Sequence, residues 1–288
     1  MTLYARTKAP KGGEILFAPL AASVTSGLNL TETGGSYHFD PVSASVTPPP
    51  PPPPPDGFFL PIPAGWQSVM QTDFTKVTAL PSADWAYGGR PGGTSGCLWE
   101  ASQLSFGPNG AAITTQWSAS LSSWISAGIG THASYAFPLR VRWYDMLADA
   151  NIEGKNKVNL LWCNPWVEEI DVDECSVSGG AWTPTISRIH NGSSANVTSP
   201  IVQTVAQPVG SVHCHECELA VVNGVPTYTI FVDGVQSGSA VIPASDWATM
   251  LANPHWVGTQ DELYSVGTAS QSAVSVRYVA GVEVLQPA

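Results

Sequence analysis

Five carboxylates crowd into seven consecutive residues, Glu168-Glu169-Ile170-Asp171-Val172-Asp173-Glu174, and an ordinary core strand does not tolerate such a run. Each buried charge there needs a partner or a shifted pKa, so the stretch points to a carboxylate-lined cleft. On a strand, alternation puts Glu169, Asp171 and Asp173 on one face and Glu168, Ile170, Val172 and Glu174 on the other. A β-bulge that inserts one residue near Asp173 shifts the parity and brings Glu174 beside Glu169 and Asp171. Two glutamates bracketing an aspartate suit cleavage of a glycosidic bond. One carboxylate attacks the anomeric carbon, and the other protonates the leaving oxygen and later activates water. The aspartate between them orients the nucleophile and pushes the neighbouring pKa values apart. Without the bulge, Asp173 is the third member of the face and Glu174 turns away. A solvated acidic edge strand or a cation-binding run remains the non-catalytic reading. An EF-hand loop does not fit, because the further acidic ligand and the following Gly are missing at the required offsets.

The rest of the chain suits an all-β protein. Charged residues make up 11% of the 288, while Gly (27) and Pro (25) are abundant, and short apolar runs are broken by Gly, Pro, Ser and Asn. The net charge is −11 and lies after residue 48, since Arg6, Lys8 and Lys11 balance Glu14, Glu32 and Asp40. An acidic domain repels phosphates, so nucleic acid and anionic lipid are poor partners. Cys97, Cys163, Cys175, Cys214 and Cys217 form no regular framework and read as small buried hydrophobes. No apolar stretch approaches the roughly 18–20 residues of a membrane span. The apolar segment Ile15–Ala22 is too short, and too interrupted by Pro19, for a secretion signal.

The chain divides into three parts. Residues 1–47 form a small N-terminal segment with strands near Glu14–Ala18 and Tyr37–Phe39 and too few apolar residues for a core of its own. Eight prolines, Pro48–Pro55, make a polyproline linker about 25 Å long at about 3.1 Å per residue. Residues 56–288 carry short strands: Trp66–Phe74, Ala111–Trp117, Tyr135–Trp143, Lys157–Trp162, Trp182–Ile189, Ile201–Ala206, Ser211–Val222 and Val274–Leu285. Tyr135, Phe137, Leu139, Val141 and Trp143 share one face, opposite Arg140 and Arg142. Gly88–Gly96 is a glycine-rich loop that lacks the features of a phosphate cradle. Asp233-Gly234 marks a hairpin, and Ser245–Leu251 a short helix. Trp162 and Trp166, beside the acidic run, are candidates for stacking against the apolar face of a sugar. His213, His215 and Cys217 share a strand face and offer three metal-type ligands.

The run Glu169-Ile170-Asp171-Val172-Asp173-Glu174 resembles the E-I-D-x-x-E signature of glycoside hydrolase family sixteen in its bulged, laminarinase-like form. Weaker likenesses follow in order: Asp73-Phe74 with Trp85, the Gly88–Gly96 loop, a histidine-bearing strand at His213, the hairpin Phe231-Val232-Asp233-Gly234, and the closing strand Val274–Leu285. The resemblance covers most of residues 66–285. Asp173 stands where the family has an apolar residue, and Leu219 where it has a tryptophan.

The resemblance implies a concanavalin-like jelly-roll β-sandwich and a retaining endo-β-glycanase acting on a β-1,3- or mixed-linkage glucan or a similar polysaccharide. It makes Glu169 the nucleophile, Asp171 its helper and Glu174 the acid/base, with Trp162, Trp166 and His213 binding substrate. It accounts for His213 without zinc and requires no cofactor, although a structural calcium on the sandwich is compatible with it. A sandwich that binds carbohydrate without cutting it is the alternative, and a purely structural surface protein is a third. The segment, rod and sandwich, with no secretion signal, lead to the expectation of a bacteriophage virion protein. It would sit on a tail or capsid surface, with residues 1–47 docked on other structural proteins.

Overall fold

The computed structural model describes residues 57–87, 97–147, 150–163, 167–191, 195–203, 210–263 and 271–288, with the backbone of four strands before residue 40. The chain divides into two units, Met1–Thr47 and Pro48–Ala288. In the first, β1 (Tyr4–Arg6) pairs antiparallel with β2 (Phe17–Pro19), and β3 (Leu28–Glu32) with β4 (Gly35–Phe39). The polyproline run, the Gly88–Gly96 loop and Trp166 lie outside the described residues.

The second unit is a two-sheet sandwich, the all-β architecture that composition and alternation imply and the jelly-roll that the family resemblance implies. The back sheet is ordered β20 (Val235–Val241), β19 (Val225–Val232), β18 (His213–Val222), β12 (Leu139–Met146), β22 (Val274–Pro287), β9 (Gly110–Ser118), β10 (Ser123–Ser126) and β7 (Cys97–Trp99). β5 (Trp66–Asp73) joins it on β22 and β8 (Leu104–Gly107) on β9. The front sheet runs β17 (Ile201–Val202), β16 (Ile186–Asn191), β14 (Glu168–Ser178), β13 (Lys155–Trp162), β21 (Trp256–Leu263), β11 (Gly128–Thr131) and β6 (Trp85–Tyr87), with β15 (Ala181–Trp182) on β14.

The alternation seen in sequence sets the layers. Leu139, Val141 and Trp143 of the back sheet pack against Leu161, Ile170, Val257 and Ile129 of the front sheet in one core. Strand β12 begins at Leu139 and not at Tyr135. Pro138 has no N–H to donate to a ladder, and Tyr135 instead bridges His255. The polar face of β12 is covered: Tyr144 meets Phe58 and Phe59 edge-on, and Arg142 donates to the Leu60 and Pro61 carbonyls. The segment at residues 58–61 is therefore seated on the outside of the back sheet. Helix α1 (Ala244–Ala252) buries Trp247 and Met250 into the main core. The Asp233-Gly234 hairpin forms as its sequence requires, with positive φ at both residues (51° and 78°). All five cysteines are free and buried. No helix among the described residues is long and apolar enough to cross a membrane.

Candidate active site

Strand β14 carries the site, and its register decides which carboxylates meet. Against β13, Trp162 faces Glu169 and Leu160 faces Asp171, but Asn159 faces Asp173 and Val158 faces Glu174. Val172 is the extra residue of a bulge, and the same irregularity appears against β16 between Asp171 and Glu174. Because Ile170 and Leu161 point into the core, Glu169, Asp171 and Glu174 share the outer face of the front sheet. Asp173 is turned inward and fully buried. The unbulged arrangement, with Asp173 as third member of the outer face, is thus not the one adopted. A bulge leaves ladder groups unpaired, and here the Val172 carbonyl accepts from the Ser187 hydroxyl (2.5 Å) and the Gln203 amide (3.5 Å).

Strand β16 brings two cations to the outer face. Arg188 spans two carboxylates, with Nε 3.0 Å from Asp171 Oδ2 and Nη2 2.6 Å from Glu174 Oε2. His190 Nε2 lies 2.9 Å from the same Asp171 oxygen and 3.8 Å from Glu169 Oε2. Burial pulls the imidazole toward its neutral form, but the hydrogen bond and charge of Asp171, then the charge of Glu169, outweigh it and raise the His190 pKa. Glu174 also accepts from Asn156 Nδ2 at 3.2 Å. Burial, then the charge of Asp171, pushes its carboxyl up to about 7, against the opposing pull of Arg188. That value lies where a carboxyl can give and take a proton near neutral pH.

The neighbouring strands line the same face. Trp162 and Trp256 are paired across β13 and β21, with ring centroids 6.2 Å apart and a 38° tilt. Glycine is needed under this indole: a Cβ on Gly258 would lie 2.6 Å, and one on Gly130 3.1 Å, from Trp256 Cζ3. Trp162 is buried, and the partly exposed Trp256, lying over bare backbone against it, is the indole near Glu169 that can take a sugar's C–H face. Beyond Asn156, Gln260 donates to Glu262 at 2.5 Å, which adds a fourth carboxylate to this face.

The structure places the sequence-derived candidates unequally. Glu169, Asp171, Glu174 and Trp162 come together, whereas Trp166 lies outside the described residues. His213 is not brought to them. It sits on β18 of the back sheet, where Nδ1 lies 2.7 Å from Asp233 Oδ2 and Nε2 2.9 Å from Ser211 Oγ. Nor do His213, His215 and Cys217 form a common ligand set: His215 meets Asp173 and Asp145, and Cys217 lies in the apolar core. Arg188, His190, Asn156 and Trp256 went unmarked in the sequence. Only the alternation of Ser187, Arg188, Ile189 and His190 hinted at a polar face beside the acidic strand.

Among the described residues, two clusters group three ligand-type side chains with their ligand atoms within 4.8 Å: Glu169, Asp171 and His190 outside, and Asp145, Asp173 and His215 inside. In the inner one the Lys157 ammonium already bonds both aspartates, so a cation's place is filled by the chain itself.

No family model matches the sequence, and no curated protein matches it either. Solved structures do. An endo-1,3-β-glucanase from Streptomyces sioyaensis superposes with a TM-score of 0.67 at 18% identity, over 79% of this chain and 98% of that one. A non-specific endo-β-1,3(4)-glucanase of family GH16 gives 0.66 at 15%, over 83% and 96%. The β-agarase A of Zobellia galactanivorans gives 0.62 at 14%, over 81% and 98%. These likenesses show the fold, a concanavalin-like sandwich shared with glycan-cutting enzymes.

Proposed function

We propose that this chain is a retaining endo-β-glycanase that cuts a neutral β-1,3- or mixed-linkage glucan or a closely similar polysaccharide. The observation that carries the reading is the bulge at Val172, which sets Glu169, Asp171 and Glu174 on one face, where burial and then Asp171 push the Glu174 carboxyl up to about 7. Glu169 attacks the anomeric carbon and forms a glycosyl-enzyme while Glu174 protonates the departing sugar oxygen. Glu174 then removes a proton from water, which releases the glycan. Asp171 fixes Glu169 through their shared neighbour His190, and Trp256, backed by Trp162, carries the sugar ring. The glucanases and the agarase that share the fold support a glycan substrate. Four carboxylates against Arg188 and His190 make the described outer face electronegative, which favours a neutral polymer over a sulfated one.

The test is reducing-sugar release by the full chain from laminarin, lichenan, agarose and carrageenan, with Glu169→Gln and Glu174→Gln in parallel. Laminarin or lichenan is cut with retention of the anomeric configuration. Glu169→Gln lowers the rate by about ten-thousand-fold or more and Glu174→Gln by about a hundred- to ten-thousand-fold. Binding without cleavage in the parent chain would replace this reading with that of a carbohydrate-binding sandwich. We propose further that the Met1–Thr47 unit docks the chain on an assembly such as a phage virion. The two-unit division supports this, and mass spectrometry of purified particles tests it, absence of the chain counting against it.

A further inference from the structure

The residue that departs from the E-I-D-x-x-E pattern is buried in an ion network of its own. Asp173 Oδ2 receives the Lys157 ammonium in a short contact, lies 3.2 Å from His215 Nδ1 and accepts weakly from Asn159 Nδ2 at 3.4 Å. Lys157 also reaches Asp145 Oδ2 at 2.9 Å, and Asn159 donates to the same oxygen at 3.0 Å. Asp145 and His215 belong to the back sheet, Lys157, Asn159 and Asp173 to the front. All five side chains are buried.

From this geometry we infer that Asp173 and Lys157 are positioning residues: their ion pair latches the bulge of β14 and thereby turns Glu174 to the outer face. Two adjacent residues cannot both be third member of that face. Whichever of Asp173 and Glu174 goes inside needs a partner there. Lys157, two residues along β13 from Asn159, supplies a cation only on the inner side. An ionised Asp173 inside therefore selects the bulged register over the flat one, just as an apolar residue at this position would by its own burial. The Ser187 and Gln203 contacts to Val172 accommodate the bulge but do not distinguish the two acids.

The inference rests on the proposed proton-transfer role of Glu174 only for its consequence in rate, so its test uses the titration of Glu174 itself. In full chain labelled at the Glu side-chain carboxyl carbon, the Glu174 resonance is assigned with Glu174→Gln and followed through pH. In Lys157→Met, Asp173 loses its cation, leaves the interior and displaces Glu174, whose titration falls by ten-fold or more in proton affinity toward that of an ordinary carboxyl. In Lys157→Met/Asp173→Val, an apolar side chain takes the inner place and the parent titration returns. Lys157→Met can fail to fold, so the same titration is read in Asp173→Asn, which keeps the side-chain shape and removes the charge. A folded Lys157→Met or Asp173→Asn in which Glu174 titrates as in the parent overturns the latch. So does a folded double variant that does not recover. If the parent cuts no glycan, the glycanase reading fails, and the latch still stands or falls on these titrations. If it does cut, the rate falls with the titration in Lys157→Met and is regained in the double variant.

Discussion

The interior ion network around Asp173 and the outer face of β14 carry the same acid groups and treat them in opposite ways. Inside, Asp145, Asp173 and Asp261 are matched by Lys155, Lys157 and Arg277 in a closed set of contacts. Burial opposes the charged form of Asp145, but Lys157 foremost outweighs it and holds the carboxyl well below its ordinary range. Lys157 is held above its own, because Asp145 and Asp173 overcome the cost of burial. His215 is pushed toward its neutral form by burial, and burial also lowers the pKa of Lys155 despite Asp261 beside it. Outside, among the described residues, the acids outnumber the cations, and burial beside Asp171 lifts Glu174 into the neutral range. Matched charges keep fixed protonation states and hold structure, whereas an unmatched one is free to exchange its proton.

The largest effect that would break this comparison lies on the inner face. Arg277 is fully buried, with Nε 3.3 Å from Asp261 Oδ1 and Nη1 3.8 Å from Asp145 Oδ2. Arg277→Met leaves the carboxylates one cation short in the interior, and removing one partner of a buried set costs about 3–5 kcal/mol. Urea denaturation should show that loss, while the rate per folded molecule stays at the parent value. A loss below about 1 kcal/mol would mean that the inner charges are screened like surface ones, and the contrast between the faces would disappear.

A smaller effect sharpens the outer face. As a general acid, Glu174 works in its protonated form, so the rate falls as pH rises through about 7. Arg188 favours the ionised form through its 2.6 Å contact. Arg188→Met removes that pull, raises the Glu174 pKa further and moves the alkaline limb to higher pH. Relative to its own optimum, the variant should retain about two- to ten-fold more activity at pH 8 than the parent. An unmoved limb would show that Arg188, which is one-third exposed, is too well solvated to tune Glu174.

How much of this could be read from sequence follows the same division. The sandwich was legible because Leu139, Val141 and Trp143, or Ile170 and Val172, alternate with polar residues along single strands, and alternation is a local property. The parity of the acidic run allowed the two registers to be written down but not chosen between, because in the proposed latch the choice depends on Lys157, which lies 16 residues away on another strand. Arg188, His190 and Trp256 enter the site by strand order, which no short motif encodes. His213 was misplaced for the converse reason: a local likeness fixed its strand, but the sheet that holds the strand is a property of the whole topology.

The mildest effect concerns that histidine. His213 and Asp233 form a hydrogen-bonded pair at the hairpin. The bond to Asp233 raises the His213 pKa, although burial works against it. A histidine with a raised folded-state pKa adds stability that is fully present below its ordinary value near 6.5 and is lost as pH rises through the higher folded value. Asp233 is half-exposed, so solvent screening limits the contribution to about 1 kcal/mol or less. His213→Ala should therefore lower the melting temperature slightly at pH 5.5 and not at pH 8.5, with hydrolysis unchanged at both. A ten-fold or greater loss of hydrolysis in the folded variant would return His213 to the substrate site that its sequence context implied. It would also mean that the back sheet, and not only the outer face of β14, takes part in binding glycan.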